Sequence, residues 1–377
     1  MPHLVALDLP GGPAFVDALR REWEAGNAVL PVDQRLPAAA RALLFDALRP
    51  DRAVDVDGIH TLDGRGVEAG DALVMPTSGS TGTPKGVVLT HHAVTASAIA
   101  TSSHLGITAD DTWLACLPLA HVGGMSVITR ALHTGTGLVV HDGFDATRVE
   151  QAAREGVTAV SLVATALRRV DPSWFRVIVL GGARPPIDRP ANVHATYGLT
   201  ETGSGVVYDG VPLPGVEVAI DADGEVLLRG PMLLRAYRDG TTPLDRDGWL
   251  HTDDLGRFLP DGRLHVEGRR SDLIITGGEN VWPDTVEASL LLHSGVHEAA
   301  VAGVDDPEWG QRVVAWVVPS PDTAPTLDAL RVFVTEQLPG FCAPKELHLV
   351  DALPRTALGK VQRHVLQGSR SGTDNDH

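Results

Sequence analysis

Cys116 and Cys342 are the only two cysteines in this 377-residue chain. A disulfide framework is thereby excluded, and so is a four-cysteine zinc site. Lysine is also scarce: only Lys85, Lys345 and Lys360 occur among 31 basic residues. Arginine carries nearly every other positive charge. A retained lysine therefore suggests a need for its own chemistry, a compact ammonium on a flexible stem. Lys345 reads as chance, but the other two sit in glycine-containing motifs. Positive charge is in deficit, with 31 Lys and Arg against 48 Asp and Glu and a net charge of −17. A general footprint for nucleic acid or an anionic membrane needs the opposite sign, so no nucleic-acid partner is expected. Any anionic ligand must be held by a local device. No apolar run reaches the roughly 18 residues of a membrane span, so none is expected. The N-terminus has no basic region leading into a long apolar stretch, so a cytoplasmic protein is expected. What is present is ordinary globular material, 43% hydrophobic and 21% charged. At about 150 residues per domain the length suggests two or three domains or subdomains. Such a chain can bury a substantial core without staples.

Apolar periodicity organises the chain. Residues 15–24 and 37–48 read as helices around a short strand at 28–32. Residues 51–70 are rich in Asp and Gly and read as loop. A strand at 71–76 runs into a glycine-rich segment, and 93–104 reads as the helix beyond it. From about 110 to 210, apolar runs at 112–118, 137–141, 159–163 and 176–182 alternate with helical patterns, which argues for an α/β domain with a largely parallel sheet. From about 215 to 270, short strands separated by Asp-Gly turns read as antiparallel hairpins. A boundary is expected near 270. It gives a large domain at 1–270, a small α+β domain at 271–367 and a disordered polar tail at 368–377.

Residues 77–86 read Thr-Ser-Gly-Ser-Thr-Gly-Thr-Pro-Lys-Gly. Glycines let backbone N–H groups turn inward, hydroxyls add donors, and Lys85 adds charge. This is the chemistry of a phosphate cradle. It is not a Walker A loop, because Pro84 precedes the lysine and Gly86 follows it. Gly181-Gly182-Ala183 ends a strand-like run, where open parallel sheets bind ligands. Tyr197-Gly198-Leu199-Thr200-Glu201-Thr202 combines an aromatic face, hydroxyls and a carboxylate suited to Mg²⁺. His251-Thr252-Asp253-Asp254 offers a carboxylate of the kind that accepts from ribose hydroxyls.

The segment TSGSTGTPKG resembles the phosphate loop of the adenylate-forming superfamily: acyl- and aryl-CoA synthetases, peptide-synthetase adenylation domains and luciferases. Further segments resemble that family's other motifs in the right order, so the resemblance covers nearly the whole chain. It implies a large N-terminal domain of parallel and mixed sheets with helices and a small antiparallel region, followed by a mobile C-terminal lid. It implies ATP, Mg²⁺ and CoA as ligands. Thr77, Ser78, Gly79, Ser80, Thr81, Gly82 and Lys85 would hold phosphates. Gly181, Gly182, Ala183, Tyr197 and Gly198 would border adenine. Thr200 would lie at the α-phosphate, Glu201 at the metal, Asp254 at the ribose and Arg269 at the nucleotide. Asp272 matches the hinge, and Gly277-Gly278 the turn lining the CoA channel. Lys360 matches the catalytic lysine of adenylation, and His121 borders the acyl pocket. Two positions depart from the pattern: Asp253 stands where the family has Gly, and Thr276 where it often has Lys.

The implied chemistry has two steps: attack of a carboxylate on the α-phosphorus of ATP, then of CoA thiol on the acyl adenylate. The phosphate loop opens at Thr77, earlier than in typical members. This compact build, with GGENVWP and PLAHVGGMS, resembles the o-succinylbenzoate–CoA ligases of menaquinone biosynthesis in high-GC actinobacteria. Their acid has a second carboxylate, for which His121, Thr202 and Ser204 are candidates. A ligase for another aryl or short-chain acid, an enzyme loading a separate carrier protein and a non-catalytic homologue stay open as alternatives. A homodimer is compatible with the resemblance.

Overall fold

The computed structural model describes residues 1–78, 84–182, 188–321, 323–355 and 361–368. The expected tail lies outside these from 369 on, while Gly368 closes the helix Arg363–Gly368. The chain divides into two compact units. The first comprises Met1–Asp221, Leu227–Thr252 and Phe258–His265; the second comprises Ala222–Val226, Asp253–Arg257 and the described residues from Val266 onward.

Two seven-stranded sheets organise the first unit. Edge to edge, one runs Ala236–Tyr237, Pro84–Thr90, Asp71–Ser78, Ala28–Pro31, Leu4–Leu7, Arg52–Asp55 and Gly58–Thr61. Its middle is parallel and its flanks antiparallel. Leu4–Leu7 and Ala28–Pro31 are buried at every position, as strands covered on both faces must be. The other sheet runs Val211–Pro212, Val207–Tyr208, Val193–Tyr197, Val177–Gly181, Ala159–Val163, Thr112–Ala115 and Gly137–Val140. The last five of these are mutually parallel, so their carboxyl ends share one edge. Helices His91–His104 and Val122–Thr134 pack on each other; the first also touches one sheet and the second the other. The Thr90 hydroxyl caps the first of these helices by accepting from Ala93 N–H at 3.1 Å.

Two expectations need correction. Residues 51–70 are not simply loop, since Arg52–Asp55 and Gly58–Thr61 form an antiparallel hairpin. The Asp55 carboxylate accepts from the N–H groups of Asp57 and Gly58 and builds the turn. The glycine-rich segment does not lead from a strand into a helix. It joins two antiparallel strands, with Thr77 opposite Lys85 and Ser78 opposite Pro84. The second strand exists because Val87, Val88 and Leu89 are buried in the core.

A four-stranded sheet follows, in the order Glu217–Ile220, Glu225–Arg229, Leu250–Phe258, Leu264–Arg269. In the second unit, Val296–Asp306 and Gly310–Pro319 form a long antiparallel pair, with Ile274–Thr276, Glu279–Val281 and Glu346–Leu349 completing the sheet. Helices Pro283–Leu290 and Leu327–Thr335 bury Val286, Leu290, Leu330 and Val334 against it. No helix among the described residues is long and apolar enough to cross a membrane.

Candidate active site

Parallel strand order does the first positioning. Gly181 and Tyr197 end adjacent parallel strands, so both lie on the carboxyl edge of their sheet, the usual ligand edge of an open α/β fold. Gly182 follows at φ +85°, and Ala183 lies outside the described residues. After Tyr197 the chain turns tightly. A Cβ on Gly198 would lie 2.3 Å from the Ser204 carbonyl oxygen, so only glycine lets the two backbones pass. The turn Thr200–Thr202 then presents Thr200 and Glu201 half-buried, at the end of the same strand.

Thr202 and Ser204 are acid-pocket candidates from sequence, but the structure gives their side chains internal partners. Thr202 is fully buried, and its hydroxyl accepts from Leu199 N–H at 2.9 Å while lying 2.8 Å from Leu199 O and 2.6 Å from Ser204 O. Its hydroxyl locks the turn that carries Glu201. The Ser204 hydroxyl accepts from the Arg130 guanidinium. Arg130 is itself only 2% exposed, reaches Ser161 Oγ at 3.3 Å and lies 5.3 Å from the Trp113 ring centroid. Burial pushes its pKa down.

The cradle's described ends are Thr77, Ser78 and Lys85; Gly79, Ser80, Thr81 and Gly82 lie outside the described residues. Lys85 is exposed, with its ammonium 5.1 Å from the centroid of the Tyr237 ring. The Tyr237 hydroxyl donates to Glu201 Oε1 at 2.9 Å. The structure thus joins the cradle lysine to the turn carboxylate through a tyrosine that the motifs did not single out. Tyr237 is one of three tyrosines in the chain, a scarcity comparable to that of lysine. Glu201 suits Mg²⁺: it is a hard oxygen ligand, half-buried, with one oxygen held by a hydroxyl donor.

His121 stands at the N-cap of helix Val122–Thr134, and its Nε2 is 3.7 Å from Asp33 Oδ2. Asp33 also accepts from Arg35 N at 3.0 Å, Nε at 2.9 Å and Nη2 at 2.7 Å. Burial works to raise the Asp33 pKa, but the bonds from Arg35 and the approach of His121 outweigh it and hold the carboxyl well below the usual range. No motif pointed to Asp33 or Arg35, because the partnership spans 88 positions between Asp33 and His121.

In the second unit, Arg269 Nε approaches the buried Asp254 Oδ1 at 3.2 Å, so the expected ribose carboxylate and nucleotide arginine meet. Asp253 has φ +60°, the left-handed region where glycine is the unstrained choice and Asp is tolerated. Its exposed backbone N–H donates to Glu225 Oε1 at 2.8 Å. Gly277 and Gly278 have φ +60° and +84°. Gly277 N–H donates to Trp309 O at 2.8 Å, and a Cβ on Gly277 would meet the Trp309 ring at 2.8 Å. Lys345 Nζ lies 3.3 Å from that ring's centroid. Asp272 accepts from Arg363 Nη1 at 3.3 Å, and Arg363 also binds Asp284 and Glu287. Lys360 lies outside the described residues.

The chain matches the model of the AMP-binding enzyme family over residues 61–238 and that of the AMP-binding enzyme C-terminal domain over 285–360. It is 40% identical to a probable 2-succinylbenzoate–CoA ligase of Mycobacterium tuberculosis, over 96% of this chain and 97% of the relative. A 2-succinylbenzoate–CoA ligase of Bacillus anthracis is 37% identical over 78% of this chain and 69% of its own length. Among solved structures, o-succinylbenzoate CoA synthetase of Bacillus subtilis in complex with the acyl-adenylate intermediate superposes with a TM-score of 0.88. It is 29% identical, and the match covers 98% of this chain and 88% of that one. The same enzyme with ATP and magnesium gives a TM-score of 0.86 at 29% identity, covering 97% and 89%.

Proposed function

Because the chain belongs to the AMP-binding enzyme family, we propose that it is an ATP-dependent acid–CoA ligase making o-succinylbenzoyl-CoA through an acyl adenylate, as a step of menaquinone biosynthesis. The observation that carries this reading is the 40% identity, over 96% of the chain, to a probable 2-succinylbenzoate–CoA ligase. The site geometry agrees with it, since Gly181, Tyr197, Thr200 and Glu201 gather at the carboxyl edge of a parallel sheet.

In the first step a carboxylate oxygen of the acid bonds to the α-phosphorus of ATP. The bond from that phosphorus to the bridging oxygen breaks, and pyrophosphate leaves with the electron pair. Charge spreads over the phosphoryl oxygens, so donors and cations dominate catalysis. Thr77 to Gly82 and Lys85 hold the β- and γ-phosphates, and Thr200 donates to the α-phosphate. Tyr197 stacks on adenine beside Gly181, Gly182 and Ala183. Asp254 accepts from the ribose and Arg269 reaches the nucleotide. Glu201 would hold Mg²⁺, which supplies neutralising charge at the phosphates. Lys360 stabilises charge at the α-phosphate and carboxylate, and His121 borders the acid. In the second step the CoA sulfur bonds to the acyl carbon, the carbon–oxygen bond to AMP breaks, and the thiol proton passes to solvent. Residues 271–367 act as a lid turning about Asp272, which exchanges Lys360 for the Gly277-Gly278 side. The reading places the enzyme in the cytoplasm, with a homodimer as its compatible assembly.

Mass spectrometry of products from ATP, Mg²⁺, CoA and a panel of o-succinylbenzoate, benzoates and fatty acids tests this. o-Succinylbenzoyl-CoA with stoichiometric AMP is the expected result. A different acyl-CoA overturns the acid, an adenylate without thioester points to a carrier-protein acceptor, and the absence of AMP overturns the enzyme.

A further inference from the structure

Tyr237 touches two functional groups at once. Its hydroxyl donates to Glu201 Oε1 at 2.9 Å, and its ring lies under the Lys85 ammonium at 5.1 Å. The backbone explains how one residue reaches both. Ala236–Tyr237 is the edge strand paired with Pro84–Thr90, with Tyr237 opposite Val87. Lys85 is the second residue of that partner strand. Three residues before Tyr237, Leu234 N–H donates to the Glu201 carbonyl at 2.7 Å. Residues 234–237 are therefore bonded to the strand that leaves the cradle and, through Leu234, to the Glu201 turn.

A carboxylate that offers a single oxygen to a small divalent cation needs its other oxygen held. A neutral phenol does this without competing for the cation's charge. The ring face meanwhile attracts an ammonium weakly, so it can hold Lys85 near the cradle and release it to a phosphate. Neither property needs the tyrosine to meet the nucleotide.

We propose that Tyr237 is a positioning residue for metal–nucleotide binding: it orients the Glu201 carboxylate for the cation and keeps Lys85 at the mouth of the phosphate cradle. This rests on the ligase reading above. The test is calorimetric titration of ATP into the full-length protein across a Mg²⁺ series and in EDTA. The variants are Tyr237→Phe, which keeps the ring, Glu201→Gln, and the double variant. Tyr237→Phe is expected to raise the Mg²⁺ concentration for half-maximal ATP binding about tenfold and to leave binding in EDTA unchanged. In the Glu201→Gln background the same change should add nothing, because the hydroxyl acts through that carboxylate. A wild-type Mg²⁺ profile for Tyr237→Phe overturns the proposal, as does an additive effect in the double variant. A shifted profile in a protein whose wild type releases no AMP with any acid would instead uphold the positioning role and overturn the ligase reading.

Discussion

The hydroxyl of Thr202 is surrounded by backbone: the N–H and C=O of Leu199 and the C=O of Ser204. An acid carboxylate would have to displace those partners. Thr202→Val, nearly equal in volume, removes the lock and leaves buried groups unpaired. It is expected to lower stability by about 1–3 kcal/mol and to weaken the ATP-dependent step with little change in the KM for the acid. Urea denaturation and steady-state kinetics check both arms; a raised acid KM at unchanged stability would return Thr202 to the acid pocket. The sequence groups Thr200, Glu201 and Thr202 as neighbours in one motif, and the structure sets them on one turn. It cannot tell which hydroxyl faces outward, because that depends on Gly198 passing close to Ser204. Tyr237 was illegible for a related reason. Its meaning comes from partners 36 and 152 positions away, at Glu201 and Lys85.

At the scale of elements, legibility followed apolar periodicity. Four of the five parallel strands of the second sheet fall on the apolar runs at 112–118, 137–141, 159–163 and 176–182, whereas Val193–Tyr197, fully buried only at Val193, does not stand out in the sequence. The strand Pro84–Thr90 was hidden because it begins with Pro-Lys-Gly, which reads as the end of a loop. The hairpin at 52–61 was hidden because an edge pair can carry charge at exposed positions. Polar clamps between elements were equally hidden. Asp111, buried ahead of strand Thr112–Ala115, accepts from Thr108 N–H at 2.8 Å, Thr158 Oγ1 at 2.7 Å and Arg176 Nε at 2.8 Å. Burial alone would raise its pKa, but the bonds from Arg176, Thr108 and Thr158 bring it down to about 2 from an ordinary 3.8. A carboxyl depressed on folding stabilises above its unfolded pKa and loses that contribution as pH falls through its folded value. Asp111→Ala should therefore destabilise by about 2–3 kcal/mol at pH 7. The gap to wild type should narrow as pH falls from about 4 towards 2. Denaturation of both proteins across that range checks it, and a gap independent of pH would remove the ionised carboxylate from the account.

Across the whole molecule, a net charge of −17 opposes ATP and CoA alike, so both must be held by local groups. On the proposed reading Arg269, beside Asp254, and Lys85, over Tyr237, are such groups, one in each compact unit. On the proposed reading one mobile lid, residues 271–367, carries both Lys360 and the Gly277-Gly278 turn and serves the two half-reactions in succession. The consequence is separable chemistry. Lys360→Ala should reduce adenylation, read as ATP–pyrophosphate exchange, by about 10²–10³-fold, the scale of losing one charge-stabilising donor. It should leave thioester formation from supplied o-succinylbenzoyl adenylate within a few-fold of wild type, because on that reading the lid withdraws the lysine before the thiol attacks. Equal loss of both half-reactions would mean that one arrangement of the units serves both steps, and the alternation about Asp272 would fall. Equal retention would instead remove Lys360 from the adenylation step and leave the charge at the α-phosphate to Thr200, Lys85 and the metal on Glu201.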